Sequence, residues 1–155
     1  MAGPGTTFEG PIQSGTIKYP TAASAANVGL AMLTQTVTLT ENGATAVTAE
    51  VMLPYGSQIV DFHFDVTTAW NSGSSDTLSV GVAAAGTDYV SGVSTATAGR
   101  IAPTYTAAQL SAMANIGANT GVFITVTPVG TTATTGAVTV TVLYVQTVQL
   151  SQGAA

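Results

Sequence analysis

Polar and apolar residues alternate with a period of two through several long stretches of the chain, which is the signature of strands with one face buried and one face wet. The first such stretch is Thr34 to Thr40, Thr-Gln-Thr-Val-Thr-Leu-Thr. It is interrupted at Glu41-Asn42-Gly43-Ala44, and alternation resumes from Thr45 to Leu53 with Val47, Ala49, Val51 and Leu53 on one side. Asn-Gly between two alternating runs predicts a tight hairpin, because both central residues of a type I′ turn take positive φ. Pro54 to Gly56 then predicts a turn into a strand from Ile59 to Thr67. There Val60, Phe62, Phe64 and Val66 form the face expected to enter the core, and Asp61, His63, Asp65 and Thr67 the face expected to stay wet.

Beyond Trp70, Asn71 to Asp76 reads as a loop and Thr77 to Ala83 as another strand, in which Gly81 signals a bulge or a close backbone approach. Residues 86–105 are rich in Gly, Ala, Ser and Thr and form a long connection with room for one short strand. Thr106 is placed to cap a short helix reaching towards Ile116, with Leu110 and Met113 sharing one face. Val122, Ile124 and Val126 alternate up to Pro128, a Thr/Ala-rich turn spans Gly130 to Gly136, and Ala137 to Leu150 is a long strand. Val138, Val140, Val142 and Tyr144 share one face of it; Leu143 and Val145 make its end apolar on both, as in a strand that is central or covered by another subunit. Six to eight strands with short turns and one long crossover describe an all-β antiparallel β-sandwich, of which the jelly roll is one form.

The first 33 residues break this pattern. Gly3, Pro4, Gly5, Gly10, Pro11, Gly15, Pro20 and Gly29 exclude a regular helix, and large apolar residues stand singly at Phe8, Ile12, Ile17 and Tyr19. The expected organisation is an extended N-terminal arm over residues 1–33, a β-sandwich over 34–150 and a short flexible tail over 151–155. Such an arm suits a partner surface with a shallow pocket for each of Phe8, Ile12, Ile17 and Tyr19.

Charge narrows the functional classes. Only 6% of the 155 residues are charged, against about 25% in an ordinary domain. Lys18 and Arg100 are the two basic residues, far too few and too far apart in the chain to neutralise a phosphate backbone or an anionic membrane. Nucleic acid and membrane are therefore poor partners. A surface made mainly of Thr, Ser, Ala, Asn and Gln fits burial in an assembly, since interface cores are depleted of charge. There is no Cys, hence no disulfide framework and no thiolate ligand. The opening Met-Ala-Gly-Pro-Gly lacks a basic signal-peptide region, so synthesis in the cytosol is expected.

The one concentration of chemistry is Asp61-x-His63-x-Asp65. On a strand, i and i+2 lie roughly 6.6 Å apart and i and i+4 roughly 13 Å apart, so both acids cannot reach one metal ion with the histidine. No second His or Cys is present to complete a transition-metal site, and the Asn71 to Asp76 loop has too few carboxylates for a known calcium pattern. Gly-x-Ser-x-Gly and the phosphate-cradling glycine motifs are absent. No catalytic residue, cofactor or metal site is expected; the triplet reads as the wet side of a strand, with His63 a candidate for pH-dependent subunit contacts.

Leu53-Pro54-Tyr55-Gly56-Ser57, Asp65-Val66-Thr67-Thr68-Ala69-Trp70 and Ser75-Asp76-Thr77-Leu78-Ser79-Val80-Gly81 together resemble a segment of small tailed-bacteriophage virion proteins. Val126-Thr127-Pro128-Val129-Gly130 and Leu143-Tyr144-Val145 look like the C-terminal hairpin of the same family. The resemblance is to head decoration (cement) proteins, and it covers roughly residues 50 to 146. It implies a non-enzymatic β-sandwich component of the virion, on the outer capsid surface, assembling as a homotrimer and bridging subunits of the major capsid protein. A phage tail or fibre component and a carbohydrate-binding adhesin module are the other classes that the β pattern admits.

Overall fold

The computed structural model describes residues 29–114, 116 and 118–148. The chain divides into two compact units, Met32–Gln146 and a second made of Met1–Ala31 with Thr147–Ala155. In the second, the described residues are the outer ends of the first and last strands. Phe8, Ile12, Ile17 and Tyr19 lie outside the described residues.

Among the described residues, eight strands and one helix follow in order: β1 Gly29–Thr40, β2 Val47–Leu53, β3 Ser57–Thr68, β4 Gly73–Gly81, β5 Val90–Ser94, β6 Gly99–Ile101, α1 Ala107–Met113, β7 Thr120–Gly130 and β8 Ala137–Val148. They form two four-stranded sheets, ordered β1-β8-β3-β6 and β2-β7-β4-β5. The protein is an all-β sandwich. β8 is central in its sheet, and its outward Leu143 and Val145 are half-buried.

The core is built from the inward residues of both sheets, matched in register. Phe62 lies opposite Val142, Phe64 opposite Val140 and Val66 opposite Val138. In the facing sheet Ile124 sits between Ala49 and Val80, and Val126 between Val47 and Leu78. Phe62, Phe64, Leu78, Val80, Ile124, Val126 and Val140 are fully buried. At about 1.5–3 kcal/mol per large apolar side chain, this two-sided burial is the main favourable term in the fold.

Several expectations need correction. Val60 is exposed and Ile59 buried, because the β3–β8 register shifts between Ile59 and Asp61. The extra residue turns both Val60 and Asp61 away from the core, as a bulge does. Gly43 has the positive φ expected of it, 66°, but Asn42-Gly43 closes no hairpin: β1 and β2 belong to different sheets, and Glu41 N–H donates to Gly136 C=O at 2.9 Å. Pairing with β8 and β7 outweighs the local turn signal. The 86–105 connection holds two short strands rather than one, and β7 runs through Pro128 to Gly130. Leu110 is exposed while Met113 is buried, so the two do not share a packed face.

Other expectations hold. Ser57 N–H donates to Pro54 C=O at 3.2 Å, closing the turn between β2 and β3. Thr106 caps α1 in a capping box with Gln109. A Cβ on Gly81 would lie 2.5 Å from the Gly86 carbonyl carbon, so the close backbone approach expected there is real.

Candidate functional site

β3 carries Asp61, His63 and Asp65 outward, between β8 and β6. The three do not converge. His63 Nε2 approaches Asp61 Oδ2 at 3.4 Å, while Asp65 lies in register with Thr139 on β8 and Arg100 on β6. Among the described residues no three His, Asp or Glu side chains come together.

Two residues that the strand pattern did not single out complete the cluster. Arg100 Nη2 lies 3.1 Å from His63 Nδ1, and Tyr105 OH donates to Asp61 Oδ1 at 2.6 Å. A guanidinium can only donate, so Nδ1 must be the unprotonated nitrogen and the ring proton sits on Nε2, facing Asp61. Asp61 Oδ1 also accepts from the Phe62 N–H at 2.8 Å. Burial, and then the hydrogen bond to Asp61, hold the Tyr105 phenol above its ordinary value, so it stays a donor.

Chemically this is a brace. His63 Nδ1 is engaged by Arg100, and Nε2 faces Asp61 at 3.4 Å without a hydrogen bond. Arg100 on β6 and Tyr105 just beyond it pin this edge of the sheet against the outer face of β3. Arg100 could have been suspected as the only cation in the β region, but β6 is three residues long and carries no alternation to reveal its partner.

The rest of that outer face is hydroxyl-rich. Thr36 and Thr141 are 3.0 Å apart at Oγ1, and Thr38 and Thr139 3.2 Å. The opposite sheet carries a similar pair, Thr48 with Thr125 at 2.9 Å, and Ala85 N–H donates to the same Thr125 oxygen. The β4–β5 loop thus folds over that face and buries Thr125.

Asn71 and Ser72 lead into β4, which starts at Gly73, so the strand begins inside the stretch expected to be a loop, and the polar groups there mostly serve the fold. Asn71 Oδ1 accepts from Thr134 N–H and Thr135 N–H at 2.9 and 3.1 Å, and Asp76 Oδ2 accepts from Ser72 N–H at 3.1 Å. The Asn71 oxygen is therefore committed to the 134–135 turn, and it does not combine with Asp76 into a calcium cradle. Trp70 is buried against Gly136, where a Cβ would run into the indole ring.

No family model matches this chain, and no curated protein matches it. Among solved structures, a chain described as "Cyanophage Pam1 capsid asymmetric unit" is similar over 92% of this chain and 99% of that one, with 22% identity and a TM-score of 0.46.

Proposed function

We propose that the protein is a structural component of a bacteriophage particle, a decoration protein that sits on the outer capsid surface as a homotrimer and bridges neighbouring subunits of the major capsid protein. The observation that carries this reading is the nesting of the strands. β1 pairs with β8, β2 with β7, β3 with β6 and β4 with β5. That nesting supports a reading of the sandwich as an eight-stranded jelly roll, a fold used by viral capsid and lectin domains.

The low charge and the resemblance of the 50–146 segment to virion proteins support the capsid side of that choice. The lectin side is weakened by the aromatic residues. Sugar stacking needs an exposed platform, and Trp70 is only 2% exposed, while among the described residues Tyr55 stands as a single exposed ring. A tail or fibre component would share the fold and differ in location.

The test is co-sedimentation with phage heads that lack their decoration, followed by cryo-EM of the loaded particle. The expected result is saturable binding with density outside the shell. Density on the tail, or no binding to heads, would overturn the reading.

A further inference from the structure

The chain has asparagine at Asn27, Asn42, Asn71, Asn115 and Asn119, and of these Asn42 is the one followed by glycine. An asparagine carboxamide lies within reach of the main-chain nitrogen of the next residue. Their closure into a five-membered ring is intramolecular, with the reacting groups already held together. A side chain on the next residue obstructs that approach, and Gly43 has none. In a folded chain the reaction then depends on what restrains the carboxamide and on what can move a proton at the nitrogen.

Asn42, Asn71 and Asn119 differ on both counts. Asn71 is fixed at Oδ1 by the Thr134 and Thr135 N–H groups and at Nδ2 by Thr134 Oγ1, and Ser72 beyond it is buried. Asn119 Oδ1 accepts from Tyr55 N–H at 2.8 Å. Asn42 is exposed, and among the described residues its carboxamide makes no hydrogen bond. Its main chain, by contrast, is tied. Thr45 N–H donates to Asn42 C=O at 3.2 Å, and Ala133 N–H to Gly43 C=O at 3.3 Å. The Gly43 N–H donates to Glu41 Oε2 at 2.8 Å, within the range for proton transfer. The turn therefore holds a nitrogen, with a carboxylate on its proton, next to a carboxamide that can rotate.

We propose that Asn42 is a site of spontaneous deamidation, with Glu41 as the proton carrier. Gly43 N forms a bond to Asn42 Cγ while its proton passes to Glu41. Glu41 returns that proton to the departing nitrogen, the Cγ–Nδ2 bond breaks, and ammonia leaves. The succinimide so formed takes up one water molecule, and nothing is oxidised or reduced. Opening at one carbonyl gives aspartate; opening at the other gives isoaspartate, in which the main chain runs through Cβ and Cγ. Either product adds one negative charge to a chain of net charge −5 and sets it beside Glu41, where like charges repel. Isoaspartate also lengthens the connection that carries the chain from the sheet of β1 to the sheet of β2.

The test is incubation of the full-length chain at neutral and mildly alkaline pH, read by peptide mass spectrometry and an isoaspartate assay. Each event raises the peptide mass, since the water gained outweighs the ammonia lost. Product is expected at Asn42, while the peptides of Asn71 and Asn119 stay unchanged; Asn42→Gln is the blank. Glu41→Gln should slow the folded reaction about tenfold, less than the usual effect of a proton carrier because the carboxylate is half-exposed. In urea, where the turn is lost, wild type and Glu41→Gln should react at the same rate. Thermal unfolding checks that the variant is folded, and Glu41→Asp, which withdraws the carboxylate by one methylene, replaces it otherwise. An Asn42 that reacts in urea but stays intact in the folded chain, or equal product at Asn71 and Asn119, overturns the site. A folded Glu41→Gln chain that reacts as fast as the wild type, or faster, overturns the role of Glu41.

Discussion

At the scale of single residues, Gly136 and Tyr105 carry more of the fold than their neighbours suggest. Gly136 leaves the space that the buried Trp70 ring occupies. Gly136→Ala should cost about 1–3 kcal/mol in urea unfolding, the usual range for forcing atoms into a packed site. A smaller loss would mean that the ring can step aside. Tyr105→Phe removes the hydrogen bond donated to Asp61 and the longer one accepted from Phe62 N–H, in a half-exposed setting, and a loss of about 1 kcal/mol is expected. Its pH dependence is more telling. The folded phenol is held above its ordinary value of about 10, so its contribution is complete below that pH and fades as pH rises beyond it. Unfolding measured from neutral pH into the alkaline range should show a shallower decline in Tyr105→Phe than in the wild type. Some decline should persist, because burial and the neighbouring Asp88 raise Tyr89 in the same direction. His63 shows the limit of reading residues alone: its acid neighbours were visible in the strand, but Arg100, which decides its tautomer, lies 37 positions away.

At the scale of elements, legibility followed the strength of the periodic signal. β3, β7 and β8 were readable because Phe62, Phe64, Ile124, Val126, Val140 and Val142 repeat every second residue over long runs. The bulge at Val60 was not, since a one-residue shift leaves no mark in composition and only pairing with β8 reveals it. The Asn42-Gly43 reading failed for a related reason: a turn signal reports local backbone preference and says nothing of which sheet the next strand joins. Strand pairing also begins at Gly29, within the stretch expected to be an arm. This sharpens a truncation experiment. Removal of residues 1–28 keeps β1 whole, so the sandwich should unfold at nearly the wild-type temperature, while binding to undecorated heads should fall away if Phe8, Ile12, Ile17 and Tyr19 hold the shell. Full binding by the truncated chain would show that the arm is dispensable.

At the scale of the whole molecule, the scarcity of charge and the all-β class could be read from the chain, whereas the nesting of the strands could not, because it pairs β1 with β8 and β2 with β7 across most of the described sequence. The nested pairing has one more consequence, which concerns time. β4 and β5 are close in the chain and can meet early, but β3 must wait for β6, β2 for β7 and β1 for β8. During synthesis β1 leaves the ribosome first among the strands and its partner leaves last, so an uncharged, threonine-rich strand stays unpaired until the chain is nearly finished.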